Sequence, residues 1–194
     1  MVEAASQAVR EKSMEKFYRF ANRLAEAFGG EGLDYAFTGA LAVSFYGAPR
    51  TTSDVDVMVA VAGEADVKTK VTRALRQAGL DVDERKIVEA LVSGYNIATF
   101  KDKASAYTVD VIFSGEKLEK QAGTIAGLNT FFQKPEGLVL AKLRMIKATL
   151  PRERAAKDEE DVKAILAFTR VDLAAVKKQA KKEGTSEILQ SLNE

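Results

Sequence analysis

The amino-acid sequence predicts an α+β fold: a mixed β-sheet with helices packed on it, followed by a C-terminal helical bundle. Two observations carry that reading. Strand-like runs crowd residues 35–133, and helix-like spacing of apolar residues crowds residues 135–194. The length of 194 residues suits one domain, or one domain with a small appendage.

The elements follow in chain order. Met14, Phe17, Tyr18, Ala21, Leu24, Ala25 and Phe28 recur at helical spacing, and Gly29-Gly30 ends the pattern. Residues 35–38 form a short strand-like run. Residues 40–46 are alanine-rich and too long for a buried strand, so a second helix is expected there, stopped by Gly47. After a polar turn, residues 54–59 alternate strictly, with valines on one face and aspartates on the other. A helix is expected over 64–78, with Val67, Val71, Ala74, Leu75 and Ala78 inward. Strands are expected near 80–84, 95–100 and 107–113, and the turn-rich residues 101–106 favour antiparallel pairing of the last two. Pro135 suits the first residue of a helix, and three helices are expected over 136–150, 155–168 and 172–182. The lysines at 177, 178, 181 and 182 read as a solvated helix face. Phe17, Phe20, Phe28, Phe37, Phe131, Phe132 and Phe168 are expected in the core, whereas Tyr46 and Tyr107 fit either packing or stacking on a base.

Composition narrows the chemistry. The chain has no histidine and no cysteine. That excludes disulfides, thiolate nucleophiles, imidazole general bases and thiolate or imidazole metal sites. Any metal would be a hard cation such as Mg²⁺ or Mn²⁺, because carboxylates are the only strong ligands available. With 29 Lys and Arg against 28 Asp and Glu, the net charge of +1 provides no global field for nucleic acid. No run reaches the roughly 18 apolar residues of a membrane span. The N-terminal residues lack a signal-peptide pattern, so a cytoplasmic address and no membrane partner are expected.

Three acids stand out. Asp54 and Asp56 share one face of a strand, about 6–7 Å apart, a separation at which two carboxylates can share a Mg²⁺. Asp110 is a single acid inside the hydrophobic run Val109 to Phe113, where a carboxylate is disfavoured unless paired or metal-bound. If the two strands are neighbours, all three acids converge; otherwise Asp54 and Asp56 are ordinary water-facing positions. Upstream, Thr38-Gly39-Ala40 joins a strand to a helix, so backbone N–H groups there can face a phosphate, and glycine permits close approach.

This arrangement resembles the DNA polymerase β-type nucleotidyltransferase superfamily: Gly39-Ala40, then Asp54-Val55-Asp56 in one hydrophobic strand, then Asp110 in a later one. The stretch TGALAVSFYGAPRTTSDVDVMV is similar to the minimal, AbiEii-toxin-like branch. Residues 135–143, together with Arg154, Lys157, Asp158 and Asp161, resemble that branch's helical half. The resemblance implies a nucleotidyltransferase-like mixed sheet carrying the acids, within a catalytic domain with its N-terminal helix over residues 1–134, and a C-terminal helical region over 135–194. It implies transfer of a nucleoside monophosphate from an NTP to an RNA, protein or small-molecule acceptor, with Asp54 and Asp56 on both Mg²⁺ (or Mn²⁺) ions. Asp110 would bind the ion that activates the acceptor. A toxin role with an antitoxin partner belongs to the same implication.

The resemblance brings Arg50 and Ser53 near the triphosphate, where Arg50 can clamp phosphate and Ser53 can donate a hydrogen bond; a plain turn role fits each equally well. Lys142 either snorkels to solvent or reaches the phosphates. Asp158 and Asp161 are expected in interhelical or helix-terminal salt bridges. The family usually has Gly-Gly or Gly-Ser where this chain has Gly39-Ala40, and the serine version donates a hydroxyl that Ala40 lacks. The alternative reading is therefore a catalytically weak or inactive nucleotide- or metal-binding regulatory module of the same fold.

Overall fold

The computed structural model describes residues 2–47, 52–62, 66–149, 151 and 155–193. In chain order the elements are α1 (Val2–Gly30), β1 (Tyr35–Phe37), α2 (Gly39–Phe45), β2 (Asp54–Ala60), α3 (Val67–Gln77), β3 (Leu80–Asp81), α4 (Glu84–Val92), β4 (Ile97–Asp102), β5 (Thr108–Ser114), β6 (Lys120–Ile125) and β7 (Leu128–Gln133). The helices α5 (Pro135–Ala148), α6 (Ala156–Phe168), α7 (Leu173–Glu183) and α8 (Ser186–Leu192) follow. No helix among the described residues is long and apolar enough to cross a membrane.

The strands form one seven-stranded sheet in the order β3-β4-β5-β2-β1-β7-β6. β1 pairs antiparallel with β2, and β4 antiparallel with both β3 and β5, while β2 and β5 run parallel. The sheet is therefore mixed, and the α+β expectation holds. The strict alternation of β2 and β5 explains their central place. Val55, Val57, Val59, Val109, Val111 and Phe113 are all buried, which keeps the intervening residues on the opposite face.

The chain divides into two compact units. The first comprises Met1–Phe37, Thr52–Leu118 and Ala122–Phe131. Its core takes Phe20, Leu24 and Phe28 from α1, Val71 and Leu75 from α3, and Ile87 from α4. Tyr107 packs here, stacked on Phe20 at 5.6 Å and edge-on to Phe17, with its hydroxyl donating to the Ser13 carbonyl. That is the packing alternative of the two the sequence left open for this ring. Arg23 reaches Asp102, whose side chain is 1% exposed, at 2.8 Å, and Ser105 donates to the same carboxylate.

The second unit comprises Thr38–Thr51, Glu119–Gln121 and Phe132–Glu194. Pro135 occupies the first turn of α5, as its missing N–H favours. Leu138, Val139, Leu143, Val162, Ile165, Val176 and Leu189 from α5 to α8 are buried together with Leu41 and Val43 of α2. The α7 lysines are exposed, as their spacing predicts, while Val176 and Ala180 point inward. Two phenylalanines depart from expectation: Phe131 is 37% and Phe168 70% exposed. Phe131 alternates with the buried Thr130 and Phe132 on β7, and Phe168 is the last residue of α6, so neither lies on an inward face.

Candidate active site

The first unit gathers acids on one face of the sheet. Asp56 and Asp110 are direct partners in the parallel β2–β5 ladder, and Asp54 lies two residues before Asp56 on the same face. Asp54 is exposed and the other two are half-buried. The convergence that the sequence made conditional on neighbouring strands thus has its condition met. Across the other edge of β5, Thr99 of β4 is the partner of Asp110, and its hydroxyl donates to Asp110 Oδ1 at 2.6 Å. The Thr52 hydroxyl donates to Asp54 Oδ1.

This donor set is all oxygen, which suits a hard divalent cation. The backbone puts the donors in register on adjacent strands, so Asp54, Asp56 and Asp110 are the residues that would hold one. Their oxygens do not enclose a cation as they stand: among the described residues, no group of three or more acidic side chains is arranged to hold a metal ion. Ser53 is exposed, and its carbonyl accepts from the Thr108 N–H, tying the entry of β2 to β5. Arg50 lies outside the described residues, as does Arg154.

In the second unit, Thr38 is the N-cap of α2 and Gly39 opens that helix at φ +57°, a left-handed value that glycine adopts without steric cost. The Thr38 hydroxyl does not cap the helix. It donates instead to Gln133 Oε1 at 2.5 Å, while the Tyr46 hydroxyl donates to the Gln133 carbonyl at 2.8 Å. Phe45 stacks on Phe132 at 4.0 Å with rings nearly parallel. Both ends of α2 are thus fastened to the Phe132-Gln133 segment. Ala40 is buried at 8% exposure and brings no polar group. Burial, reinforced by the nearby Glu136 carboxylate, pushes the Tyr46 phenol up to about 12. The phenol is a packing and hydrogen-bonding element of this unit.

Lys142 is engaged. Its ammonium lies 2.7 Å from Asp158 Oδ1 and 2.8 Å from Asp161 Oδ2, joining α5 to α6. Burial works against its charge, but hydrogen bonds from the ammonium to Asp158 and Asp161, and their charges, outweigh that and hold its pKa above the ordinary lysine value. The interhelical salt bridges expected of Asp158 and Asp161 are present, and their partner is the lysine read from sequence as a phosphate ligand. Thr99 and Gln133 are the polar residues that sequence reasoning missed. Each acts on a residue far along the chain, and neither has a local signal beyond a threonine in a strand and a glutamine before a helix.

Solved structures with a nucleotidyltransferase-like fold share this mixed sheet with packed helices. The chain is similar to the antibiotic-resistance factor ANT(2″)-Ia in solution, with a TM-score of 0.62 and 13% identity over 91% of this chain and 92% of that one. The same factor in complex with adenylyl-2″-tobramycin aligns with a TM-score of 0.59 and 14% identity, covering 91% of this chain and 98% of that one. An antigenic nucleotidyltransferase-like protein from Paracoccidioides brasiliensis aligns at 0.55 and 15% identity, covering 87% and 88%. No family model matches the sequence, and no curated protein does. At these identities the likeness shows a shared fold.

Proposed function

We propose that the protein is a nucleotidyltransferase that moves a nucleoside monophosphate from an NTP to an acceptor, with Mg²⁺ or Mn²⁺ held by Asp54, Asp56 and Asp110. The observation that carries this reading is the register of β2 and β5, which sets Asp56 opposite Asp110 and keeps Asp54 on the same face. A pair of divalent ions, when bound, supplies charge stabilisation for the nucleophile and for the leaving pyrophosphate, so the missing histidine is no handicap. Asp54 and Asp56 supply ligand oxygens. Asp110 supplies a third carboxylate, as ligand of the ion that activates the acceptor hydroxyl and as the group to take its proton. The phosphate-binding roles of Thr38, Gly39, Ala40, Arg50 and Ser53 in this reading rest on the sequence resemblance. Lys142 is not carried forward in that role, because its ammonium is already shared by two carboxylates.

The adenylyl group on tobramycin in the similar structure makes ATP the first donor to try and an aminoglycoside the first small acceptor. Labelled NTPs with Mg²⁺ or Mn²⁺ are offered together with RNA, protein and small-molecule acceptors. Wild type is expected to label an acceptor, and Asp56→Asn to lose at least a hundredfold in rate, of the order seen when a group stabilising transition-state charge is removed. An unlabelled acceptor set with wild type, or equal rates for the two proteins, overturns the reading.

A second reading is a regulatory module of the same fold that binds nucleotide or metal without turnover. Ala40, with no hydroxyl to donate, and the open arrangement of the carboxylates favour it. Calorimetry showing NTP binding with no transfer decides for this reading. A toxin role with an antitoxin partner, in the AbiEii-like manner, rests on the sequence resemblance, and growth arrest on expression of the chain alone is its test.

A further inference from the structure

Helix α7 carries Lys177, Lys178, Lys181 and Lys182 on an exposed face, while its Val176 and Ala180 are buried. Lys177 with Lys181, and Lys178 with Lys182, are like charges four residues apart, an arrangement that destabilises a helix. Nothing local offsets it. Among the described residues no carboxylate is paired with any of the four lysines. The two acids that bound the run are engaged elsewhere: Asp172 accepts from the Ala175 N–H as the N-cap, and Glu183 takes the Arg144 guanidinium at 3.0 Å and the Gln179 amide at 2.8 Å. The helix dipole favours Lys181 and Lys182 in the last turn, but its effect does not extend to Lys177 and Lys178 a turn earlier. In a chain whose net charge is only +1, the result is a local field of four positive charges along roughly 8 Å of helix axis. No large apolar side chain of α7 is exposed to enter a bilayer, so the attraction this face offers is electrostatic. Of the acceptor classes that the nucleotidyltransferase reading leaves open, RNA is the one with a negative charge at every unit. Resting on that reading for the choice of polyanion, we propose that the lysine face of α7 is a docking surface for the phosphate backbone of RNA.

Backbone contacts of this kind release counterions, so log K falls with log salt by about 0.7 for each phosphate neutralised on a single strand. The experiment is fluorescence anisotropy of the full chain with a labelled single-stranded RNA of mixed sequence, without NTP, over a series of salt concentrations. A single-stranded DNA of matching sequence and phosphatidylserine vesicles are tested beside it. The α7 variant combines Lys177→Gln, Lys178→Gln, Lys181→Gln and Lys182→Gln. A control of equal charge combines Lys16→Gln, Lys103→Gln, Lys117→Gln and Lys163→Gln, all exposed and none on α7. Glutamine is close to lysine in helix propensity, and losing the like-charge pairs favours the helix, so the α7 variant is expected to fold, which melting curves check. It is expected to lose at least about tenfold in RNA affinity, with a salt slope shallower by about 3, and the control to stay within about threefold of wild type. Lys177→Gln with Lys178→Gln alone is expected to give about half of that change in slope. A purely structural face would lower the melting temperature of the α7 variant and leave RNA affinity unchanged, which overturns the proposal. Equal losses in the α7 variant and the control overturn it too, because total charge would then be the cause. Vesicles bound through α7 with RNA unbound assign the face to a membrane, and DNA bound more tightly than RNA removes the choice of RNA; either result overturns the proposal, as does wild type that binds no RNA. None of these outcomes bears on the transfer reading, which labelling of a small acceptor tests separately.

Discussion

The Tyr46 phenol is 6% exposed and donates to the Gln133 carbonyl, and its pKa is pushed up to about 12 against an ordinary 10.0. Below about pH 10 the phenol is neutral in folded and unfolded chains alike, and its contribution to stability is intact. Between about 10 and 12 the unfolded chain gives up this proton first, so the unfolded state gains and folding stability falls as pH rises, by about 1–3 kcal/mol in all. Urea unfolding from pH 9 to 12 reads this. Tyr46→Phe is expected to be about 1 kcal/mol less stable at pH 9, from the lost hydrogen bond, with a shallower decline thereafter. Parallel declines for the two proteins would sink the account. At this scale the sequence revealed the acids but not their partners. Asp54, Asp56 and Asp110 are anomalies visible locally, charges inside apolar period-two runs. Thr99 and Gln133 acquire meaning only through residues 11 and 95 positions away, which sequence periodicity does not encode.

Ala126 and Gly127 form the two-residue connection between β6 and β7, with φ of +45° and +88°. Left-handed backbone at both positions matches the twist of a hairpin, but an alanine there carries a steric penalty of roughly 1 kcal/mol. Ala126→Gly relieves that penalty and gives part of it back through a more flexible unfolded chain, for an expected net gain of about 0.5 kcal/mol in urea unfolding. A loss of stability would contradict this. The same turn explains why the hairpin went unpredicted: Ala-Gly lacks the Asn or Asp that ordinarily marks such a connection. The helix α4 was missed despite a readable signal, since Asp83 caps it by accepting from the Arg85 N–H, and Ile87 and Ala90 form its buried stripe. Between α5 and α6, Lys142→Met would remove the ammonium that Asp158 and Asp161 share. Asp161 is only 7% exposed, so a loss of about 3 kcal/mol is expected, whereas the triple change to apolar residues should recover much of it. A loss within about 0.5 kcal/mol would mean that water reaches the carboxylates freely.

At the scale of the whole molecule, the α+β class followed from where strand and helix patterns crowd, and the outline of the sheet from alternation. Adjacency of β2 and β5 did not follow, because more than forty residues and several elements separate them; only the burial of both valine stripes on one face makes them neighbours. Composition acts at this scale too. A chain without histidine or cysteine has no side chain whose unperturbed pKa lies between about 5 and 8. Between about pH 6 and 9 folded and unfolded chains should therefore bind nearly the same number of protons, and stability should hold constant within about 1 kcal/mol, or roughly 2–4 °C in melting temperature. Melting curves across that range test it. The decline begins only above pH 9–10, where the Tyr46 phenol and the ion-paired Lys142, both with raised folded pKa values, favour the folded state less with each increment of pH. A step of one proton near pH 7 would contradict this.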